Sequence, residues 1–150
     1  MELSNYATWQ KANSPQPYSL FDYVYGAGRS ANIPADLFIA FAKLVWPDFV
    51  EIDGRIFLAE QYSKTKHEEL LKNGSSTQDA QYWMNVFSVD GLFLEIAGDT
   101  PEHWEAFAAI LRDSWEAKLR RDYPSRKFEV RVLRDENDDG ADDILIVFTE

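Results

Sequence analysis

Apolar residues recur along this chain in two patterns. Some stretches repeat them every third or fourth position, as helices do; others alternate them or run them together between Gly, Pro, Asn and Asp, as strands do. The clearest strand signal is Phe49, Val50 and Ile52 followed by Ile56, Phe57 and Leu58 around Asp53-Gly54. A two-residue type I′ turn needs positive φ at both central positions, and Asp-Gly supplies it, so a β-hairpin is predicted here. A second hairpin is predicted between Arg126 and Glu150. Phe128, Val130 and Val132 alternate with Glu129 and Arg131, whereas Ile144 to Phe148 is continuously apolar. Alternation marks one solvated face and a continuous run marks cover on both, so the C-terminal strand is expected inside its sheet. Leu92 to Ala97, after Asp90-Gly91, is expected as a further strand.

Helical spacing predicts four helices. Pro34 to Trp46 is apolar over nearly its whole circumference, with only Asp36 and Lys43 charged, which places it in a core or a subunit interface. Ser63 to Lys72 is polar and closes at Asn73-Gly74; Thr77 to about Phe87 carries Tyr82, Trp83 and Met84. The longest helix is expected from Asp99, with Pro101 and Glu102 forming a capping-box start, to Asp122. Along it Trp104, Ala108, Leu111, Trp115 and Leu119 form one stripe, expected to be core, while Glu116 and Arg120 stand at i, i+4 on another face.

Before residue 32 the pattern weakens. Tyr6, Trp9, Tyr18, Phe21, Tyr23 and Tyr25 sit in polar, turn-rich sequence, read as an irregular aromatic wrapper over 1-31 with one short helix. Ser19 would be its N-cap, Asp22 its N3 residue and Gly26 its end. The whole order predicts a single α+β domain over 1-150: a mainly antiparallel sheet of about five strands, two hairpins plus one strand, packed with about four helices.

Composition narrows the class. With 45% hydrophobic and 15% aromatic residues the chain is too rich for disorder, and 150 residues suffice for one core. No Cys is present, which excludes disulfides, thiol catalysis and zinc-thiolate sites. There is no basic segment followed by an apolar one at Met1 to Gln10 and no run of 18 apolar residues, so no membrane association is expected and cytoplasmic residence is the default. The balance of 26 acids to 15 bases, net -11, is typical of a soluble, acidic, bacterial-type protein and makes nucleic-acid binding unlikely, because that binding neutralises phosphates.

Charge also picks out the candidate site. Asp135, Glu136, Asp138, Asp139, Asp142 and Asp143 place six carboxylates in nine residues without a Lys or Arg among them. Such a loop must face water, a cation or a basic partner. Asp135, Asn137, Asp139 and Gly140 match the opening of a calcium loop, but the twelfth position is Ile146 where a bidentate Glu is needed, and the loop joins strands. An EF-hand is thereby excluded, which leaves Asp135, Asn137 and Asp139 as a weak Ca²⁺ candidate and no other cofactor expected. Just before the acids, Lys118, Arg120, Arg121, Arg126, Lys127, Arg131 and Arg134 form a basic stretch, expected to screen nearby acids and complement the helix end. Gly26-Ala27-Gly28 lacks the third Gly and the Lys of a phosphate loop and is read as a helix end and loop. His67 and His103 belong to no metal motif and are expected at the surface.

No catalytic residue stands out. The expectation is therefore a non-catalytic acidic binding or inhibitory module, like an immunity protein, engaging a basic protein partner through Asp135, Glu136, Asp138, Asp139, Asp142 and Asp143. The alternatives are a ligand-binding or regulatory domain with an aromatic pocket, and an enzyme using carboxylate or His chemistry. A homodimer formed through the Pro34 to Trp46 helix is also open.

Overall fold

A computed structural model describes residues 3–93, 100–136 and 142–150. Its elements run α1 (Ser4–Ala12), α2 (Leu20–Ser30), α3 (Ala35–Val45), β1 (Phe49–Ile52), β2 (Arg55–Leu58), α4 (Lys64–Lys72), α5 (Thr77–Asn85), β3 (Phe87–Ser88), α6 (Pro101–Asp122), β4 (Glu129–Glu136) and β5 (Asp142–Thr149). The α+β class is as expected. Among the described residues the sheet is not one but two, a two-stranded β1-β2 hairpin and a three-stranded sheet of order β3-β5-β4, both antiparallel. Among the described residues the α-helices number six, because the N-terminal segment supplies α1 and α2 in place of an irregular wrapper with one short helix. The chain divides into two compact units, Met1–Phe41 and Ala42–Glu150.

In the larger unit the β1-β2 turn has the expected backbone, φ 49° at Asp53 and 78° at Gly54. Ile52 pairs with Arg55 across it, so the ladder alternation turns the backbone groups of Ile56 and Leu58 outward. Helix α5 closes that edge with amides one turn apart. Asn85 accepts from Leu58 N and donates to Ile56 O, both at 3.1 Å, and Gln81 Nε2 donates to Ile56 O at 3.0 Å. Both side chains are fully buried, and Gln81 Oε1 has no hydrogen-bond partner among the described residues.

The α5 helix stops at Asn85, two residues before the expected end, because Phe87 and Ser88 leave it to pair with Ile146 and Leu145 of β5. Asp90, 7% exposed, prolongs this ladder as its carboxylate accepts from Ile144 N at 3.1 Å and from Ser88 Oγ at 3.1 Å. The strand expected at Leu92 to Ala97 begins instead as a 3-10 turn over Asp90–Leu92, and its remaining positions, 94–97, lie outside the described residues. Strand β5 is the interior strand, flanked by β3 and β4 as its unbroken apolar run implied.

Helix α6 lays its stripe on this sheet. Ala108, Leu111, Trp115 and Leu119 are fully buried with Ile56, Ile144, Ile146 and Phe148, and Trp104 packs at the margin of the same core. Pro101 opens the helix after Thr100, which makes no side-chain cap bond among the described residues; Asp99, expected in a capping box, lies outside them. Glu102 receives a hydrogen bond from the Thr100 side chain, which holds its carboxyl below the usual range.

The smaller unit, residues 3–41, carries two local features. Ser19 and Asp22 form the expected capping box of α2. The helix then runs through Gly26 and Gly28, where a stop was expected. A Cβ on Gly28 would meet Phe38 Cζ at 3.3 Å, so the glycine admits a ring instead of ending a helix.

Candidate functional site

Strand geometry reshapes the acidic segment. The nine residues read as a loop are partly ladder: Asp135 lies opposite Asp143 and Glu136 opposite Asp142 in the β4-β5 register. The long alternation of β4 and the apolar run of β5 carry pairing beyond the hydrophobic residues, and the connection shrinks to 137–141, outside the described residues. Asn137, Asp138 and Asp139 fall there, so of the calcium candidates only the Asp135 backbone is described. No group of three or more metal-ligating side chains forms among the described residues.

Directly opposed like charges destabilise an antiparallel pair, by about 0.2–1 kcal/mol each on the scale of cross-strand effects. Two successive acid-acid pairs end this hairpin.

Most of the basic stretch before the acids pairs locally. Lys118, only 6% exposed, meets Asp122 at 2.6 Å and lies 6.0 Å from the Trp46 ring centre, with Arg121 at 5.3 Å from the same ring. Arg120 pairs with Glu116 at 2.5 Å and Arg134 with Glu105 at 2.5 Å. Arg126 bridges three elements: its guanidinium donates to Glu150 at 3.0 Å, to Glu51 at 2.5 Å and to the Gly54 carbonyl at 3.0 Å. These contacts tie the β1-β2 turn to the end of β5, and Lys118, Arg120, Arg121, Arg126 and Arg134 each meet an acid of the same fold.

A network of the same kind fixes the start of β1. Lys43 pairs with Asp48 and, at 3.5 Å, with Glu60, while Lys118 reaches Asp48 at 3.8 Å. The Lys43 hydrogen bond holds the Asp48 carboxyl below the usual carboxylate range, and Lys118, followed by Arg121, does the same for Asp122.

His67 is not at the surface. It is 6% exposed, 5.0 Å from the Phe57 ring and 5.7 Å from that of Tyr62, whose hydroxyl lies 3.1 Å from Nδ1. The expectation failed because helical position was judged by the acids beside it, whereas Phe57 and Tyr62 approach from outside the helix. His103 is half-buried in the first turn of α6.

An aromatic binding face or pocket was only an alternative in the sequence, which did not place the groove of about 610 Å³ in the smaller unit, lined by Phe21, Val24, Tyr25 and Gly28 of α2 together with Ile33 and Phe38. The signal was present: 21, 24, 25 and 28 are one helical face, hidden by taking Gly26 as a stop. Glycine spacing in 26–30 belongs to the interior of α2, which removes the phosphate-turn resemblance altogether.

No helix among the described residues is long and apolar enough to cross a membrane. No family model, curated protein or solved structure matches this chain.

Proposed function

We propose that this chain is an acidic binding or inhibitory module, without catalysis of its own, whose β4-β5 end engages a basic protein. The observation that carries the reading is the register that sets Asp135 against Asp143 and Glu136 against Asp142. That register brings four acidic residues to one end of a hairpin, a concentration of charge that suits a partner's Lys and Arg side chains.

Charge distribution supports it. Residues 1–41 hold three acids and two bases, so 23 acids and 13 bases, net −10, belong to residues 42–150. A basic protein is steered toward such a field, chiefly through its encounter rate, and the effect decays over a screening length of about 8–10 Å at physiological salt.

The test is capture of partners from the native host lysate by the parent and by a variant with Asp138, Asp139, Asp142 and Asp143 changed to Asn. The parent should retain a stoichiometric basic protein, released as salt is raised, and the variant should lose it while folding normally. Full retention by the variant overturns the reading. Calcium raising the melting temperature of the parent but not of the variant would replace a protein partner by a cation.

A further inference from the structure

None of residues 3–41 is buried, and α3 contributes no buried residue along its whole length. Yet Leu20, Phe21, Val24 and Tyr25 of α2 and Leu37, Phe38, Ile39 and Phe41 of α3 are large apolar side chains left exposed, Phe21 at 75% and Ile39 at 63%. Helices apolar over so much of their circumference are normally covered, and about 40 residues cannot build a sufficient core of their own.

We infer that a second copy of this chain covers that face, forming a homodimer in which α2 and α3 of one protomer pack on α2 and α3 of its partner. Two helix pairs brought together bury their apolar faces as a four-helix arrangement does. The electrostatics select a like partner. Residues 1–41 carry a net charge of only −1, so two such faces meet without the repulsion that would oppose contact through the acidic remainder.

The two helices also carry one charge of each sign at their facing ends in sequence. Arg29 stands in the last turn of α2 and Asp36 in the first turn of α3, and neither forms an ion pair among the described residues. A two-fold apposition brings residue i to j and j to i, so one Arg29–Asp36 contact between protomers is made twice. The same groove that a small ligand would enter, between Phe21, Val24, Tyr25 and Phe38, then receives the partner's apolar side chains.

Sedimentation equilibrium of the full chain decides the matter. The expected mass is twice the 17.3 kDa of one chain. Phe21→Glu combined with Ile39→Glu should give the single-chain mass with the near-ultraviolet circular dichroism of the Trp115 core retained, whereas Ile110→Glu, at another exposed apolar position, should leave the dimer intact. As a milder pair that does not threaten folding, Arg29→Asp should weaken the dimer at least tenfold and Asp36→Arg added to it should restore association. A parent that stays at the single-chain mass up to its solubility limit overturns the inference, as does a folded Phe21→Glu, Ile39→Glu variant that still dimerises. Neither result touches the acidic end, whose own variant reads partner binding separately.

Discussion

Trp115 Nε1 donates to the carbonyl of Leu44 at 2.9 Å, joining residues 71 positions apart. Leu44 lies in the last turn of α3, where carbonyls have no partner within the helix, so the indole satisfies a group that the helix end exposes. The same ring is fully buried and meets Phe87 and Phe148 edge-on, each at 6.4 Å between ring centres. Packing and hydrogen bonding can be separated by substitution. Trp115→Ala should destabilise by about 3–5 kcal/mol through the lost volume. Trp115→Phe keeps most of the ring and should cost about 1–3 kcal/mol, chiefly from the stranded carbonyl. Urea unfolding of the two variants checks the order.

Asn85 and Gln81 make contrasting contributions to one strand edge. Replacing Asn85 by Leu leaves Leu58 N buried without an acceptor and should cost about 1–3 kcal/mol. Gln81→Met removes an oxygen that has no partner among the described residues, and Ile56 O still accepts from Asn85, so its cost should be clearly smaller. Equal losses in thermal unfolding would show that the two amides act only by filling space.

At Gly54 the space for a Cβ is open and only the backbone resists, since φ is 78°. Gly54→Val should therefore destabilise by about 1–2 kcal/mol, the scale of a left-handed L-residue. Equilibrium unfolding of Gly54→Ala and Gly54→Val together tests this, with both expected to lose stability.

Acid sensitivity should centre on Asp48 and Asp122. Hydrogen bonds from Lys43 and Lys118 lower both carboxyls in the folded chain relative to their ordinary value of 3.8. Groups lowered on folding stabilise above that ordinary value and lose their contribution as pH falls through the lower, folded one. Stability measured from neutral pH downward should thus fall in the acid range, and Asp122→Asn should flatten the fall. An identical profile in that variant would assign acid sensitivity elsewhere.

How much of this was legible in the sequence depended on whether the cause was local. The Asp53-Gly54 turn, the Ser19–Asp22 capping box, the α6 stripe and the interior place of β5 all follow from residues within a few positions of one another. Misread features involve distant partners. Gly26 and Gly28 resemble a helix stop until Phe38 is set against Gly28, and His67 resembles a surface residue until Phe57 and Tyr62 enclose it. The acidic positions were picked out as a set, but their division between strands and connection required the register of β4 with β5, which no single-strand pattern contains. The two sheets could not be told from one for the same reason.

The amides of α5 reach further than one edge. Chain order places β3 two residues after Asn85, so one helix grips the β1-β2 hairpin through its side chains and delivers the next strand to β5. The hairpin cannot fray from that side without disturbing the helix that leads into the central sheet. Hydrogen exchange at the Leu58 amide, though it lies in a strand of only four residues, should follow the slowest class in the protein, opening with the Trp115 core as a single event.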